Sequence, residues 1–384
     1  MVLMKAIAVC NKGLEAYCAQ ELKAILHTKL SMLDRIILFE SDLVSIALYA
    51  YRSQVAKRVL LLLGHIGHHG NLEEALENLI KNIDFSPYFI NGVTFCVRTD
   101  KLDYKIYPSQ EIEQLAGELI FTKTQATVSL KDPGLLIRII VTPGDIFITL
   151  DTAKEELTKR DYKIFAGSDP FNASTSAAFA LFSGFNAKKS CLDISCGAGL
   201  LVIESALIAT NRSPHYFRKE KFLFPQWTWS GVDWNKKFEL WDKKINSAKP
   251  KLQAIDTQNV HVEATKKNAK IAGVIKSLII ARIDIEWLDT KFNKSSIDLV
   301  MSMLHFPATS LNKIEAWISK SSHQAAYILK PGGIITLLTK YPSQAKLLVS
   351  KQGFKLCNEV QFFQGDDCWT ALAWENTKSD YKNA

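Results

Sequence analysis

The sequence predicts an α/β protein of two parts: a mixed α+β region over roughly the first 150 residues, then a doubly wound, mostly parallel sheet after Asp169-Pro170. Three observations predict it. The chain, at 384 residues, is longer than one ordinary domain. From residue 173 onward strand and helix patterns alternate, as crossovers between parallel strands require. The segment Leu192-Asp193-Ile194-Ser195-Cys196-Gly197-Ala198-Gly199-Leu200 reads as a buried strand, a small-residue turn and a helix in direct succession. Two glycines there let the backbone approach a ligand, and the helix behind them offers unpaired N–H groups to the same space. The G-x-G spacing alone is common in tight strand-to-helix turns, so its neighbours must give it meaning.

In the first part, residues 4–10 alternate as a strand, and after Gly13 the residues Leu14, Tyr17, Cys18, Leu22 and Ile25 share one helical face. An apolar run follows at 34–39, a helix at about 41–52 and a buried strand from Arg58 to Leu63. Leu72, Ala75, Leu76, Leu79, Ile80 and Ile83 recur at helical spacing. A strand at 93–98 precedes a helix capped by Ser109 and ending near Phe121. Leu135–Val141 and Ile146–Asp151 flank Pro143-Gly144-Asp145 as a hairpin. No glycine-rich phosphate loop appears in this half.

In the second part the order is helix 173–184, strand 191–194, helix 200–210, strand 252–256, helix 260–272, strands 277–283 and 297–302, helix 311–329, strand 333–339, helix 343–352 and closing strands near 355–363 and 368–374. Ligands of such sheets gather at the carboxyl ends of the strands. Asp193, Asp256, Asp284 and Ser302 all fall there. A carboxylate after the second strand is placed to accept both hydroxyls of a ribose.

Composition narrows the function. No apolar run reaches the roughly 20 residues of a membrane span, and the first residues read as a strand rather than a leader. Seven scattered cysteines without a CxxC pair fit reduced thiols in a cytoplasm, not a zinc ribbon. His65, His68 and His69 cluster without a carboxylate or cysteine beside them in sequence and read as a solvated loop rather than a metal site. The net charge is +8, and from Asn211 to Lys251 ten Lys/Arg stand against four Asp/Glu, interleaved with nine aromatics. Cations neutralise phosphates and aromatic faces stack on unpaired bases, so Arg218, Lys219 and Lys221 are candidate RNA contacts; packing against the rest of the protein is the other reading of the segment.

These residues, in this order, resemble the bacterial THUMP-containing RNA methyltransferases that act on guanine N2, the large-subunit ribosomal RNA family in particular, with transfer-RNA relatives of the same layout. The resemblance runs over nearly the whole chain. It rests on Met4–Ala16, on Val55–Leu62, on Leu150-Asp151-Thr152 with Glu156–Tyr162, on Ile203–Ala209 after the glycine turn, and on Val262-Glu263-Ala264 with Lys267-Asn268-Ala269 and Gly273. It implies a ferredoxin-like N-terminal extension (1–60), a THUMP-like RNA-binding domain (61–155), a linker (156–172), a class I methyltransferase domain (173–376) of Rossmann-like form with the basic aromatic insertion at 211–251, and a disordered tail (377–384). It implies S-adenosylmethionine as donor, S-adenosylhomocysteine as product and no metal. Asp193, Cys196, Gly197 and Gly199 would line the methionine and ribose side, Asp256 the ribose hydroxyls and Asp284 the adenine amine, with Ser302 at the neighbouring strand end. It implies a structured ribosomal or transfer RNA as partner, in the cytoplasm, with a monomer as the default state.

The catalytic loop departs from the family. Its Asn/Asp-Pro-Pro-Tyr/Phe pattern, in which an amide or carboxylate oxygen orients the target amine and the aromatic stacks on a flipped base, reads Met303-Leu304-His305-Phe306 here. Phe306 keeps the aromatic, His305 is a substitute acceptor, and Met303 takes the amide's place. Ala198 and Leu200 also drop two hydroxyls near the donor. Two readings stay open at this level: an active methyltransferase with an altered amine-positioning loop, and an inactive RNA-binding protein of the same fold. A DNA adenine methylase shares the loop chemistry but leaves the THUMP-like region unexplained.

Overall fold

The computed structural model describes residues 2–68, 70–90, 92–165, 170–246, 250–305 and 310–377. In chain order the elements are β1 (Met4–Val9), α1 (Glu15–Leu26), β2 (Leu30–Leu33), β3 (Ile36–Ser41), α2 (Leu43–Arg52), β4 (Arg58–Gly67), α3 (Leu72–Asn82), β5 (Phe95–Lys101), α4 (Ser109–Thr124), β6 (Leu135–Val141), β7 (Asp145–Asp151), α5 (Ala173–Phe182), β8 (Cys191–Asp193), α6 (Leu200–Thr210), α7 (Trp234–Asp242), β9 (Leu252–Asp256), α8 (Asn259–Ile271), β10 (Ile279–Arg282), α9 (Leu288–Lys291), β11 (Ile297–Met303), α10 (Leu311–Ile328), β12 (Leu329–Thr339), α11 (Pro342–Ser350), β13 (Phe354–Gln364) and β14 (Asp367–Asn376). They form two units. One comprises residues 1–10, 18–157 and 218–243; the other comprises 11–17, 158–217 and 244–384.

The first unit is built on a seven-stranded sheet of order β2-β3-β1-β4-β7-β6-β5. All neighbours are antiparallel except β5 and β6. The sheet is continuous, because β4 pairs with β1 on one side and β7 on the other. The expected boundary at 60/61 therefore cuts a central strand. The strand holds β1 through Val59–Leu61 and β7 through residues as far as Gly67, so the extension and the THUMP-like region share one set of backbone hydrogen bonds. Its charges are paired within the sheet. Arg58 Nε donates to Asp100 (2.8 Å) and its Nη1 to Asp151 (3.0 Å), while Arg138 donates to the same two carboxylates at 2.8 and 2.7 Å. Burial alone would raise the Asp100 carboxyl; the two guanidiniums outweigh it and hold it below the usual range. The histidines are not a solvated loop: His68 is buried on the Thr142 carbonyl, and His65 stacks on Phe147 and bonds Asp145. His69 lies outside the described residues. Ser109 is the first residue of α4 rather than its cap, which is Pro108.

Residues 218–243 of the basic aromatic segment belong to this first unit, while its two ends belong to the second. Phe222, Phe224, Trp234, Phe238 and Trp241 are buried, and Tyr51 of α2 is ringed by Phe222, Phe238 and Trp241 at centroid distances of 6.0, 5.0 and 5.7 Å. Apolar rings of this size stabilise by leaving water, which gives these five rings a packing role.

The second unit holds a seven-stranded sheet of order β10-β9-β8-β11-β12-β14-β13. The first five strands are parallel, and β14 runs antiparallel between β12 and β13. On one side α5 packs on α6 and α6 on α8; α10 packs on α9 and α11. Apolar faces of β8, β9, β11, β12 and β14 meet α10 and α11 in one core that includes Leu192, Ile255, Val300, Ile318, Leu337 and Trp374. The strand order reverses between β8 and β11, and a crevice opens there at the carboxyl ends. Apart from residues 11–17, the unit starts at Thr158, inside the expected linker. Arg160 donates to Glu204 at 2.9 Å, and the Tyr162 hydroxyl donates to the same carboxylate at 2.5 Å, all three buried. Burial first, then the Glu204 charge, pushes the Tyr162 phenol well above its ordinary pKa. Of the expected tail, only Thr377 falls among the described residues. No helix among the described residues is long and apolar enough to cross a membrane.

Candidate active site

At the carboxyl ends of β8, β9 and β11 lies a cavity of about 610 Å³. Its walls include Ser195 and Gly197 from the turn after β8, Asp256, Thr257, Gln258 and His261 after β9, Asp284 and Glu286 after β10, and Met303, Leu304 and His305 at the end of β11. The remaining side is α10, which contributes Lys313, Ala316, Trp317 and Lys320, a single face at i, i+3, i+4 and i+7.

The turn is clamped from behind by α8. Thr265 Oγ1 donates to the Gly197 carbonyl at 2.9 Å and lies 3.4 Å from Cys196 Sγ, and Asn268 Nδ2 donates to the Ala198 carbonyl at 2.9 Å. From the front, Ser195 N donates to Asp193 Oδ1 (3.2 Å), Cys196 N to the Ile255 carbonyl (3.0 Å) and Gly197 N to Asp256 Oδ2 (3.2 Å). Most turn amides are thus spent on the protein itself. The loop's contribution is shape and rigidity more than a row of open N–H donors.

Asp256 is the most elaborated group. Its Oδ1 accepts from Gln258 N at 2.9 Å, and its Oδ2 accepts from Gly197 N and from His261 Nδ1 at 3.0 Å. A carboxylate offers about four lone-pair directions, so one on Oδ1 stays open toward a hydroxyl while the other three fix the rotamer. Asp284 caps the short turn at 285–287 by accepting from Glu286 N and is exposed on the cavity wall. Glu286 in turn pairs with Lys320, whose ammonium it holds above its usual range.

Of the cofactor residues expected from sequence, Gly197, Asp256 and Asp284 line the cavity. Asp193, Cys196, Gly199 and Ser302 stand behind it, with 4% or less of Cys196 and 1% of Asp193 exposed. Cys196 is turned toward Thr265, and Ser302 is fully buried against the Ser195 hydroxyl. The cavity also exposes Met303 and His305, whose ring meets Trp369 edge-on at 6.1 Å; Phe306 lies outside the described residues. Ser195, His261 and the α10 face were missed from sequence. The i, i+3, i+4, i+7 spacing of the last was a readable signal; Ser195 and His261 had none. The three cations expected at RNA are each paired inside the first unit. Arg218, 3% exposed, and Lys221 bind Glu155, and Lys219 binds Asp242. Asp242 is already counted in the local +6 and Glu155 adds one more negative charge, so the pairing ties up these three cations while most of the segment's net charge remains. Among the described residues no cluster of His, Cys, Asp and Glu has the arrangement to hold a metal.

Comparison with known proteins agrees with this architecture. The RlmL ferredoxin-like domain matches residues 5–60, the THUMP domain 71–151, and the RMKL-like methyltransferase domain 160–365. The tRNA (guanine(6)-N2)-methyltransferase of Methanocaldococcus jannaschii is 25% identical over 342 residues, covering 86% of this chain and 88% of that protein. Ribosomal RNA large subunit methyltransferase K/L of Dichelobacter nodosus is 25% identical over 294 residues, which are 71% of this chain but only 39% of that longer protein. Among solved structures, SMU.472 in complex with SAH superposes with a TM-score of 0.81 at 19% identity, covering 99% of this chain and 100% of that one. With more than half of its length matched by that domain, the chain belongs to the RMKL-like methyltransferase family.

Proposed function

We propose that the protein transfers a methyl group from S-adenosylmethionine to an exocyclic base amine of a structured RNA, with guanine N2 of transfer or ribosomal RNA as the target. The observation that carries this is the cavity at the β8/β11 switch point, with Asp256 fixed in place and one lone pair open at the end of the second strand. The residues present fit the donor. Asp256 would hold a ribose hydroxyl, Asp284 the adenine amine, and the Gly197 turn would border the methionine part. When bound, the sulfonium supplies an electrophilic methyl group. The chain's own part is to orient the amine, exclude water and keep the turn rigid.

At position 303 a thioether, a poor hydrogen-bond acceptor, stands where the family places an amide. The relative from M. jannaschii supports RNA as the substrate class, since the match takes in 86% of this chain and 88% of that protein. The same reading takes the protein to act as a cytoplasmic monomer.

Calorimetry with S-adenosylhomocysteine, and methyl transfer from labelled donor to unmodified transfer and ribosomal RNA, test it directly. We expect micromolar or tighter binding and label in RNA, recovered as N2-methylguanosine on digestion. Absence of both heat and label defeats the reading; binding without transfer leaves the inactive RNA-binding alternative.

A further inference from the structure

Ser195 stands on the cavity wall beside the strand end that carries Met303. Its hydroxyl touches that of Ser302, the residue preceding Met303 on β11. We propose that the Ser195 hydroxyl is the hydrogen-bond acceptor that orients the target amine, replacing the amide oxygen that position 303 lacks; this rests on the methyltransferase reading above.

The direction of the Ser195–Ser302 bond follows from burial. Ser302 is 0% exposed, and among the described residues its Oγ meets Ser195 Oγ alone. If Ser195 donated to Ser302, the Ser302 O–H would be left buried without an acceptor, which is the costlier arrangement. Ser302 is therefore the donor. Ser195, on the cavity wall, then keeps one lone pair and its own O–H. Its backbone is fixed by its N–H on Asp193 and by the neighbouring Cys196 N–H on the Ile255 carbonyl. The other polar group at this strand end, His305, has no such anchor among the described residues, only an edge contact with Trp369.

The chemistry favours an acceptor here. As the nitrogen lone pair forms the N–C bond and the C–S pair returns to sulfur, positive charge builds on the nitrogen and its N–H groups become stronger donors. An acceptor on one of them binds the transition state better than the ground state. The surplus proton then passes from nitrogen to water, and Ser195 neither gains nor loses one.

The test uses the full-length protein, labelled donor and unmodified transfer RNA. Ser195→Ala should lower kcat by about 10- to 100-fold while S-adenosylhomocysteine affinity and thermal midpoint hold, and adding Met303→Asn to Ser195→Ala should recover at least tenfold. Should Ser195→Ala fail to fold, the isosteric pair makes the same comparison: Ser195→Thr should exceed Ser195→Val by at least tenfold. If the unaltered protein methylates RNA and loss of the hydroxyl leaves kcat unchanged, the Ser195 assignment is overturned by itself. If the unaltered protein methylates no RNA, the fault lies with the methyltransferase reading.

Discussion

Gly199 ends the turn at φ +87°, and a β-carbon there would lie 2.7 Å from Thr265 Cγ2. Thr265 cannot retreat: it is fully buried, and its hydroxyl is committed to the Gly197 carbonyl. Left-handed backbone costs an L-residue about 1–2 kcal/mol, and the overlap adds to it. Gly199→Ala should thus destabilise the protein by roughly 2–4 kcal/mol in urea titration, and Thr265→Ser in the same chain should return the part due to the methyl clash. No return would mean the strain is all in the backbone. The example shows what sequence could tell about single residues. The need for glycine was legible; its cause was read as a ligand's approach, while the structure supplies a helix. Asp256 was legible because a strand end and a chain-long register coincide on it. Ser195 and His261 were not, because a serine in a turn and a histidine on a polar helix turn look alike whether they meet a cavity or water.

At the scale of elements, periodicity carried most of the second unit, since parallel strands buried on both faces are unbroken apolar runs. It missed β2, whose four residues are mostly exposed and carry no alternation. It also missed the allegiance of the segment containing α7, because aromatic content states that rings will be buried and not against what. Loop ends are less legible still, and Asp298 near the start of β11 is an instance. Burial alone would raise its carboxyl; hydrogen bonds from Lys330 and from the Ser190 hydroxyl and N–H outweigh that and bring its pKa to about 2. A folded-state value below the ordinary 3.8 means the interaction stabilises fully above that value and is lost as pH falls from about 4 to 2. Asp298→Asn should therefore be less stable than the parent at pH 7, with the two converging toward pH 2 in urea melts. Parallel curves across that window would show that the ties to Ser190 and Lys330 do not tune the carboxylate.

For the molecule as a whole, the net charge of +8 makes salt the natural probe of RNA binding. Each phosphate contact contributes about 0.7–0.9 to the slope of log K against log salt. Three unpaired cations would together account for a slope of about 2–3. Arg218, Lys219 and Lys221 are not in that state. Arg218 is buried on Glu155, so Arg218→Gln should lower stability and leave the slope alone. Lys219 and Lys221 are about one-third exposed, at 34% and 40%, but each must leave Asp242 or Glu155 before meeting a phosphate. Binding then returns only the difference between two ion pairs, and freeing the carboxylate places a negative charge beside the RNA. Lys219→Gln and Lys221→Gln should accordingly shift the slope by well under one contact each, read by filter binding of transfer RNA from about 50 to 200 mM salt. A combined shift of about 1.4–1.8, two full contacts, would put the segment back at the RNA surface, with its ion pairs opening on contact. A shift near zero would assign the positive field that attracts RNA to other lysines and arginines of the chain and leave this segment to its aromatic packing around Tyr51.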